Sequence, residues 1–373
     1  MAKLATAGRM SVRIASLLLS HFRSHLRTQI AFDGRPVVLS GPNGAGKTNV
    51  LEAVSLLSPG RGLRRAAIED IARRPQALGW KIRAELQGLD GARSLETWAE
   101  PGQGRQVRID GKLAAQAALG ELAAMIWLTP AMDRLWLEAP EGRRRFLDRM
   151  VLSFRPDHAT QTLAYEKAMR ERNRLLREGI TDHGWYTALE AQMARAGAQL
   201  TVNRHAALTA LVAHGDPAGA FPEAELTLLC DAPQDADALA QTLAEGRRRD
   251  MAAGRSLTGP HRADLGALWV AKGMMAAQCS TGEQKALLIS ILLANARALT
   301  ALRGSPPIML LDEVAAHLDA TRRAALYDAI CDLSAQAFLT GTGAELFSDL
   351  GPRAQHFHVT EVEGLSHLQE TTT

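Results

Sequence analysis

The stretch Ser40-Gly41-Pro42-Asn43-Gly44-Ala45-Gly46-Lys47-Thr48-Asn49 constrains this chain more than any other. It fits G-x-x-x-x-G-K-[ST], a phosphate-binding loop. Val37, Val38 and Leu39 before it read as a short buried strand, and Val50, Leu51, Val54 and Leu57 after it recur at helical spacing. The glycines therefore sit on a strand-to-helix turn. Gly41, Gly44 and Gly46 can take backbone angles closed to other residues, so successive N–H groups of the loop can point at one anion, with Pro42, Asn43, Ala45 and Asn49 completing the nucleotide-binding stretch. A helix starting near Lys47 adds its partly positive end. Lys47 is expected to reach the β- and γ-phosphates of a nucleotide and the Thr48 hydroxyl to hold Mg²⁺. With 31 Gly in 373 residues, independent draws give about 0.005 such matches per chain, so an accidental glycine-rich turn is a poor account.

A second stretch, Ile308-Met309-Leu310-Leu311-Asp312-Glu313, reads as a buried parallel strand with acids at its C-terminal end, where open α/β sheets bind ligands. Alone, it is an ordinary strand terminus. Beside a phosphate loop, Asp312 is expected to hold the hydration shell of Mg²⁺ and Glu313 to orient or deprotonate an attacking water.

The third stretch is Cys279-Ser280-Thr281-Gly282-Glu283-Gln284-Lys285, opening a long helix over 286–298. Ser280 and Glu283 have the spacing of a capping box, which is the plain reading. Taken together, the three stretches resemble an ABC-type ATPase. That resemblance implies that Ser280, Gly282 and Gln284 complete the ATP site of another subunit, with Asp319 of Val314–Asp319 at the subunit interface. The class usually carries Leu-Ser-Gly-Gly-Gln, so Cys-Ser-Thr-Gly-Glu-Gln departs from it. A glutamine expected after the Met125–Leu128 strand is replaced by Thr129-Pro130-Ala131-Met132-Asp133. A histidine expected after Phe338-Leu339 is replaced by Thr340-Gly341-Thr342. These departures argue against an ordinary transporter ATPase.

Elsewhere, Val12–Leu18 and Gln29–Phe32 read as strands leading into the loop, after a loose opening from Met1 to about Met10. Short alternating runs from Trp80 to Ile109, closed by a hairpin-type turn at Asp110-Gly111, predict a small antiparallel β-region inserted after the first helix. From Gly142 to about His214 the pattern is helical, with Gly179 and Gly184 marking a break. Strands at Glu225–Cys230 and Leu265–Val270 flank a helix near 235–248. A helix over 321–333 and strands at Ala337–Thr340 and His356–Val359 end the chain. The expected fold is α/β: an ABC-type P-loop ATPase head with an antiparallel β-region and a mostly helical lobe. It divides as 1–140 for the N-terminal ATPase part, 141–250 for the lobe and 251–373 for the C-terminal ATPase part.

Further segments narrow the resemblance. Ser20-His21-Phe22-Arg23, Leu57–Arg64, Ala139-Pro140-Glu141-Gly142-Arg143-Arg144-Arg145-Phe146-Leu147-Asp148, Arg172–Leu176 and Thr258-Gly259-Pro260-His261-Arg262-Ala263-Asp264 occur in order. With the phosphate loop they resemble the RecF family, bacterial proteins of DNA replication and recombinational repair related to the SMC and Rad50 ATPases. The resemblance runs from about residue 12 to 360. It implies ATP-dependent dimerisation, DNA binding, and cooperation with RecR and RecO in loading RecA at gaps.

Composition bears mainly on partners. Net charge is +3, and 43 Lys plus Arg are nearly balanced by 40 Asp plus Glu, so overall charge does not demand nucleic acid. Local clusters permit it: Arg61, Arg64, Arg65, Arg73 and Arg74 after the first helix are candidate phosphate contacts, although each alone also reads as a solvated surface residue. Aromatics are 5% of the chain, which favours backbone contact with duplex over stacking on single strands. Three well-separated cysteines fit a reduced, cytosolic protein without structural zinc. No run of apolar residues reaches the about 20 needed to span a bilayer, so neither membrane insertion nor secretion is expected. Two rival functions stay open: an SMC-like head ATPase serving another protein or a defence system, and a nucleotide-regulated scaffold for a protein target.

Overall fold

The structure is a computed structural model describing residues 11–88, 91–216 and 218–371. The opening residues Met1–Met10, expected to be loose, lie outside that range. Two compact units share the chain. One takes residues up to Asp133, Ala218–Phe221, and those from Ala296 onward; the other takes Arg134–Pro217 and Pro222–Asn295. Residues 251–295 thus group with the helical lobe, whereas the sequence division at 251 puts them with the ATPase part.

The first unit begins with strands β1 (Arg13–Phe22), β2 (His25–Ala31) and β3 (Val37–Ser40), then helix α1 (Lys47–Ser55) and the single turn α2 (Ile68–Ile71). Strands β4 (Trp80–Gly88), β5 (Gly91–Ala99), β6 (Gln106–Ile109) and β7 (Lys112–Ala114) follow, then the short helix α3 (Leu119–Leu122) and β8 (Met125–Leu128). Among the described residues, one six-stranded sheet runs β2-β1-β4-β5-β6-β7, antiparallel throughout. The antiparallel region is therefore not a separate insertion. β1, read from sequence as leading into the loop, sits inside this sheet with Leu17 opposite Ala84. The reason is visible in β1 itself: Ile14, Leu17, Leu19 and Phe22 are fully buried while the residues between them are only partly covered, the signature of a half-buried strand.

The second unit holds helices α4 (Pro140–Phe154), α5 (His158–Arg177) and α6 (His183–Ala213), strand β9 (Ala224–Leu229), helices α7 (Ala236–Glu245) and α8 (Arg247–Ala253), and strands β10 (Asp264–Trp269) and β11 (Met274–Met275). Gly179, in the left-handed region, ends α5 (φ 67), and Asp182 caps α6 by accepting the Gly184 and Trp185 N–H groups. Gly184 therefore lies inside the helix rather than in the break. The helix expected over 235–248 divides at Gly246. At the lobe's centre Arg172 is fully buried and bonded to Glu190, Asp250, Ser256 and the Leu243 carbonyl.

Helix α9 (Thr281–Arg303) follows, then β12 (Ile308–Leu311), α10 (Ala320–Asp332), β13 (Ala337–Gly341), β14 (Gln355–Val362) and β15 (Leu365–Thr371). By length and composition α9 is long and apolar enough to cross a membrane, but 72% of its most apolar window is buried inside the fold. The second six-stranded sheet of the first unit runs β15-β14-β3-β13-β12-β8, parallel except for the β14–β15 hairpin. β3, β8, β12 and β13 are buried at every position, as continuous apolar runs covered on both faces should be. One core joins both sheets of this unit around α1, drawing on Leu17, Leu39, Leu51, Ile82, Leu310 and Phe338.

Candidate functional site

β3 and β12 end on the same side of the parallel sheet, with β13 between them, so their C-terminal loops converge. Gly41 (φ 152), Gly44 (φ 86) and Gly46 (φ 101) carry the turn from β3 into α1. Two are also required sterically: a Cβ at Gly41 would lie 2.1 Å from the Val359 carbonyl oxygen, and one at Gly46 would lie 2.1 Å from Ser366 Oγ. Lys47 opens α1 and folds back over the loop, its Nζ donating to the carbonyls of Gly41 at 2.7 Å and Pro42 at 2.9 Å. The Lys47 side chain is 5% exposed. Burial pulls its pKa below the ordinary lysine value, against the opposing pull of the Glu313 and Asp312 carboxylates.

The acids stand where the sequence places them. Thr48 Oγ1 donates to Asp312 Oδ1 at 2.9 Å, across 264 positions of chain. Glu313 Oε1 lies 3.8 Å from Lys47 Nζ. Glu313 holds a left-handed backbone angle (φ 54), a strain of about 1 kcal/mol for a residue with a Cβ. Its N–H donates to Thr340 Oγ1 at 2.9 Å, and the Thr340 hydroxyl donates to Asp312 Oδ1 at 2.8 Å. Thr340 thus ties both acids together from the intervening strand. The sequence shows hydroxyls there in place of histidine but gives no role for them.

Asn49 does not face an open cradle. Its Nδ2 donates to Ser24 Oγ at 2.7 Å, and its Oδ1 accepts from Arg64 Nη1 at 2.9 Å. Arg64, a candidate contact for nucleic acid, also pairs with Glu52, which Arg23 grips through both ends of its carboxylate. Arg61 is exposed and donates to the Ala66 carbonyl at 3.2 Å. Arg65 is exposed with a left-handed backbone (φ 53).

In the second unit Ser280, Thr281 and Gly282 are exposed at the start of α9. Glu283 reaches back to accept the Ser280 N–H at 2.8 Å, half of a capping box, and pairs with Lys272. The Lys272 ammonium, then the Ser280 N–H, hold the Glu283 carboxyl down to about 2. Gln284 is 1% exposed, and its Nε2 donates to the Cys279 carbonyl at 2.9 Å, closing the turn from inside. In the first unit Asp319 is exposed and caps α10 by accepting the Arg322 N–H at 2.8 Å.

Among the described residues no group of three or more His, Cys, Asp or Glu forms a cage for a metal ion. Mg²⁺ beside phosphates needs only one or two protein oxygens, with phosphate and water supplying the rest. The Thr48–Asp312 pair offers that set, so the residues fit the ion.

The family described as the RecF/RecN/SMC N terminal domain matches residues 13–364. The "DNA replication and repair protein RecF" of Rhizobium johnstonii is 48% identical over 365 residues, covering 94% of this chain and 98% of that protein. The protein of the same description from Rhizobium etli is 47% identical over 365 residues, with the same coverage. Among solved structures, a "recombination mediator protein RecF-ATP in RecFOR pathway" superposes with a TM-score of 0.84 at 21% identity, over 98% of this chain and 100% of the other. At that identity it speaks for the fold, which is the head fold of SMC-type ABC ATPases. Nearly half the residues are shared with the Rhizobium proteins over 94% of the chain, and the chain belongs to the RecF family.

Proposed function

We propose that this protein binds DNA under the control of ATP in replication and recombinational repair. It closes as a two-fold dimer on two ATP molecules and grips gapped or duplex DNA, and slow hydrolysis reopens it. The observation that carries the reading is the meeting of Thr48 and Asp312 at 2.9 Å beside Lys47. That arrangement supports a nucleotide triphosphate with its magnesium ion and few other ligands. When bound, the ion would neutralise charge on the β- and γ-phosphates. Lys47 supplies a second positive charge, the loop N–H groups hold the phosphates, and Glu313 orients the attacking water.

Exposure of Ser280 and Gly282 at a helix start supports their meeting the ATP of a second copy, because a helix N-terminus attracts an anion. Exposed Asp319 suits the same interface. Arg61, Arg64 and Arg65, all exposed after α1, are the candidate DNA contacts, and Arg64 also holds Asn49 and Glu52. The Rhizobium proteins' description, and the RecFOR pathway named for the structural neighbour, support a place in repair alongside RecR and RecO, in the cytoplasm, assisting RecA. Filter binding of a gapped duplex with ATP, with ADP and without nucleotide tests the reading. Retention should require ATP and be lost in Lys47→Arg, whose planar head does not replace a point-charge ammonium. Equal retention in all three conditions would overturn it, and no retention in any would favour the protein scaffold.

A further inference from the structure

Behind the phosphate loop a run of hydrogen bonds ends on a loop carbonyl. Ser366 Oγ donates to the Ala45 carbonyl at 2.7 Å. With that proton committed, the 2.6 Å contact between Ser24 Oγ and Ser366 Oγ has Ser24 as donor. Asn49 Nδ2 donates to Ser24 Oγ at 2.7 Å, and Arg64 Nη1 donates to Asn49 Oδ1 at 2.9 Å. Every donor points the same way, from a guanidinium through an amide and two hydroxyls to the loop, an arrangement in which each bond polarises the next. Ser366 is 6% exposed, and its own N–H is fixed to the Ser24 carbonyl at 3.0 Å.

The peptide between Ala45 and Gly46 is planar and trans, so its C=O and N–H point in opposite directions. Drawing the Ala45 carbonyl backwards onto Ser366 therefore turns the Gly46 N–H forwards, into the concave side of the loop. The space is filled as well, since a Cβ at Gly46 would meet both Ser366 Oγ at 2.1 Å and Ser24 Oγ at 2.9 Å.

We infer that Ser366, on the C-terminal strand β15, is a positioning residue of the nucleotide site, acting with Ser24 to aim the Gly46 N–H at the bound phosphates. The inference rests on the reading of Gly41–Thr48 as an ATP site. Backbone N–H groups of such loops serve the α- and β-phosphates, so the effect falls on ATP and ADP alike and not on the hydrolytic step.

Fluorescent ATP and ADP analogues titrated into the full chain test this, with steady-state ATPase and melting without nucleotide measured on the same preparations. Ser366→Ala should weaken both analogues about fivefold while leaving kcat within about twofold. The melting midpoint without nucleotide should stay with wild type. Ser24→Ala should reproduce the loss, and His367→Ala, at the exposed next position of the strand, should not. Unchanged affinity in Ser366→Ala overturns the positioning role while wild-type binding leaves the ATP reading standing. A lost affinity matched by a lowered midpoint, or shared by His367→Ala, also overturns it, because the strand would then act only as structure. Absence of binding by wild type would overturn the ATP reading and this inference with it.

Discussion

The Thr340 hydroxyl donates to Asp312 Oδ1 over 2.8 Å, from the strand that separates the phosphate loop from the acid strand. The same oxygen of Asp312 receives the Thr48 hydroxyl, and Thr340 Oγ1 receives the Glu313 N–H. One side chain, 1% exposed, therefore orients the carboxylate expected to hold the metal and pins the backbone of the residue expected to position water. Thr340→Val keeps the shape and removes both bonds. The ATPase rate should fall about tenfold or more, with ATP affinity changed by less. A rate equal to wild type would show that Asp312 and Glu313 hold their places unaided.

Glu313→Gln tests the carboxylate proposed to position water. It leaves the Thr48–Asp312 pair and Lys47 intact, so ATP should still bind while hydrolysis falls by a factor of about a hundred or more. Measured by light scattering at saturating ATP, the variant should stay dimeric for longer than wild type and release DNA more slowly. A monomer under those conditions would remove Glu313 from the hydrolytic step.

The phosphate loop, the acid strand and the helices of the lobe are legible in the sequence because each is local: a glycine pattern, four apolar residues before two acids, a 3.6-residue period. What depends on sheet order is not. β1 reads as a strand, but nothing in Arg13–Phe22 says that its neighbour is β4 rather than β3. β15, Leu-Ser-His-Leu-Gln-Glu-Thr, buries only Ser366 and so carries little apolar signal. Ser366 reaches Ala45 across 321 positions, through a hairpin register that no local pattern encodes. Gln284 is the converse case: its motif is local, but the inward bond of its amide to the Cys279 carbonyl is not legible from that motif.

A buried and a half-buried histidine make stability depend on pH. Burial lowers His25, in the first unit, and His261, in the second, from 6.5 to about 4. Between those values the unfolded chain binds more protons than the folded one, so both histidines stabilise the fold above about pH 6.5, and that stability is lost as pH falls toward 4. Each contributes about 1–3 kcal/mol over this range. Urea unfolding at pH 7 and pH 5 should show the loss, and His25→Gln should reduce the pH dependence of the first unit. Equal midpoints at the two pH values would contradict the buried neutral state.

Arg172 neutralises Glu190 and Asp250, both 2% exposed, from a fully buried position. Arg172→Met should destabilise the lobe by about 3–5 kcal/mol, because it leaves Asp250 without its cation and Glu190 with Arg247 alone. Limited proteolysis should cut the lobe of this variant at temperatures where wild type resists. Wild-type resistance would mean that the network contributes little.

The proposed composite site would form only when two copies meet around ATP, and sedimentation velocity of wild type and Ser280→Arg, each with ATP or ADP and Mg²⁺, measures that directly. Wild type should sediment as a dimer with ATP and as a monomer with ADP. Ser280→Arg should still bind the nucleotide, since Lys47 and Thr48 are untouched, yet remain a monomer with ATP. A wild type that stays monomeric at saturating ATP, or a Ser280→Arg variant that dimerises like wild type, would contradict the shared site and the ATP-gated grip on DNA that follows from it.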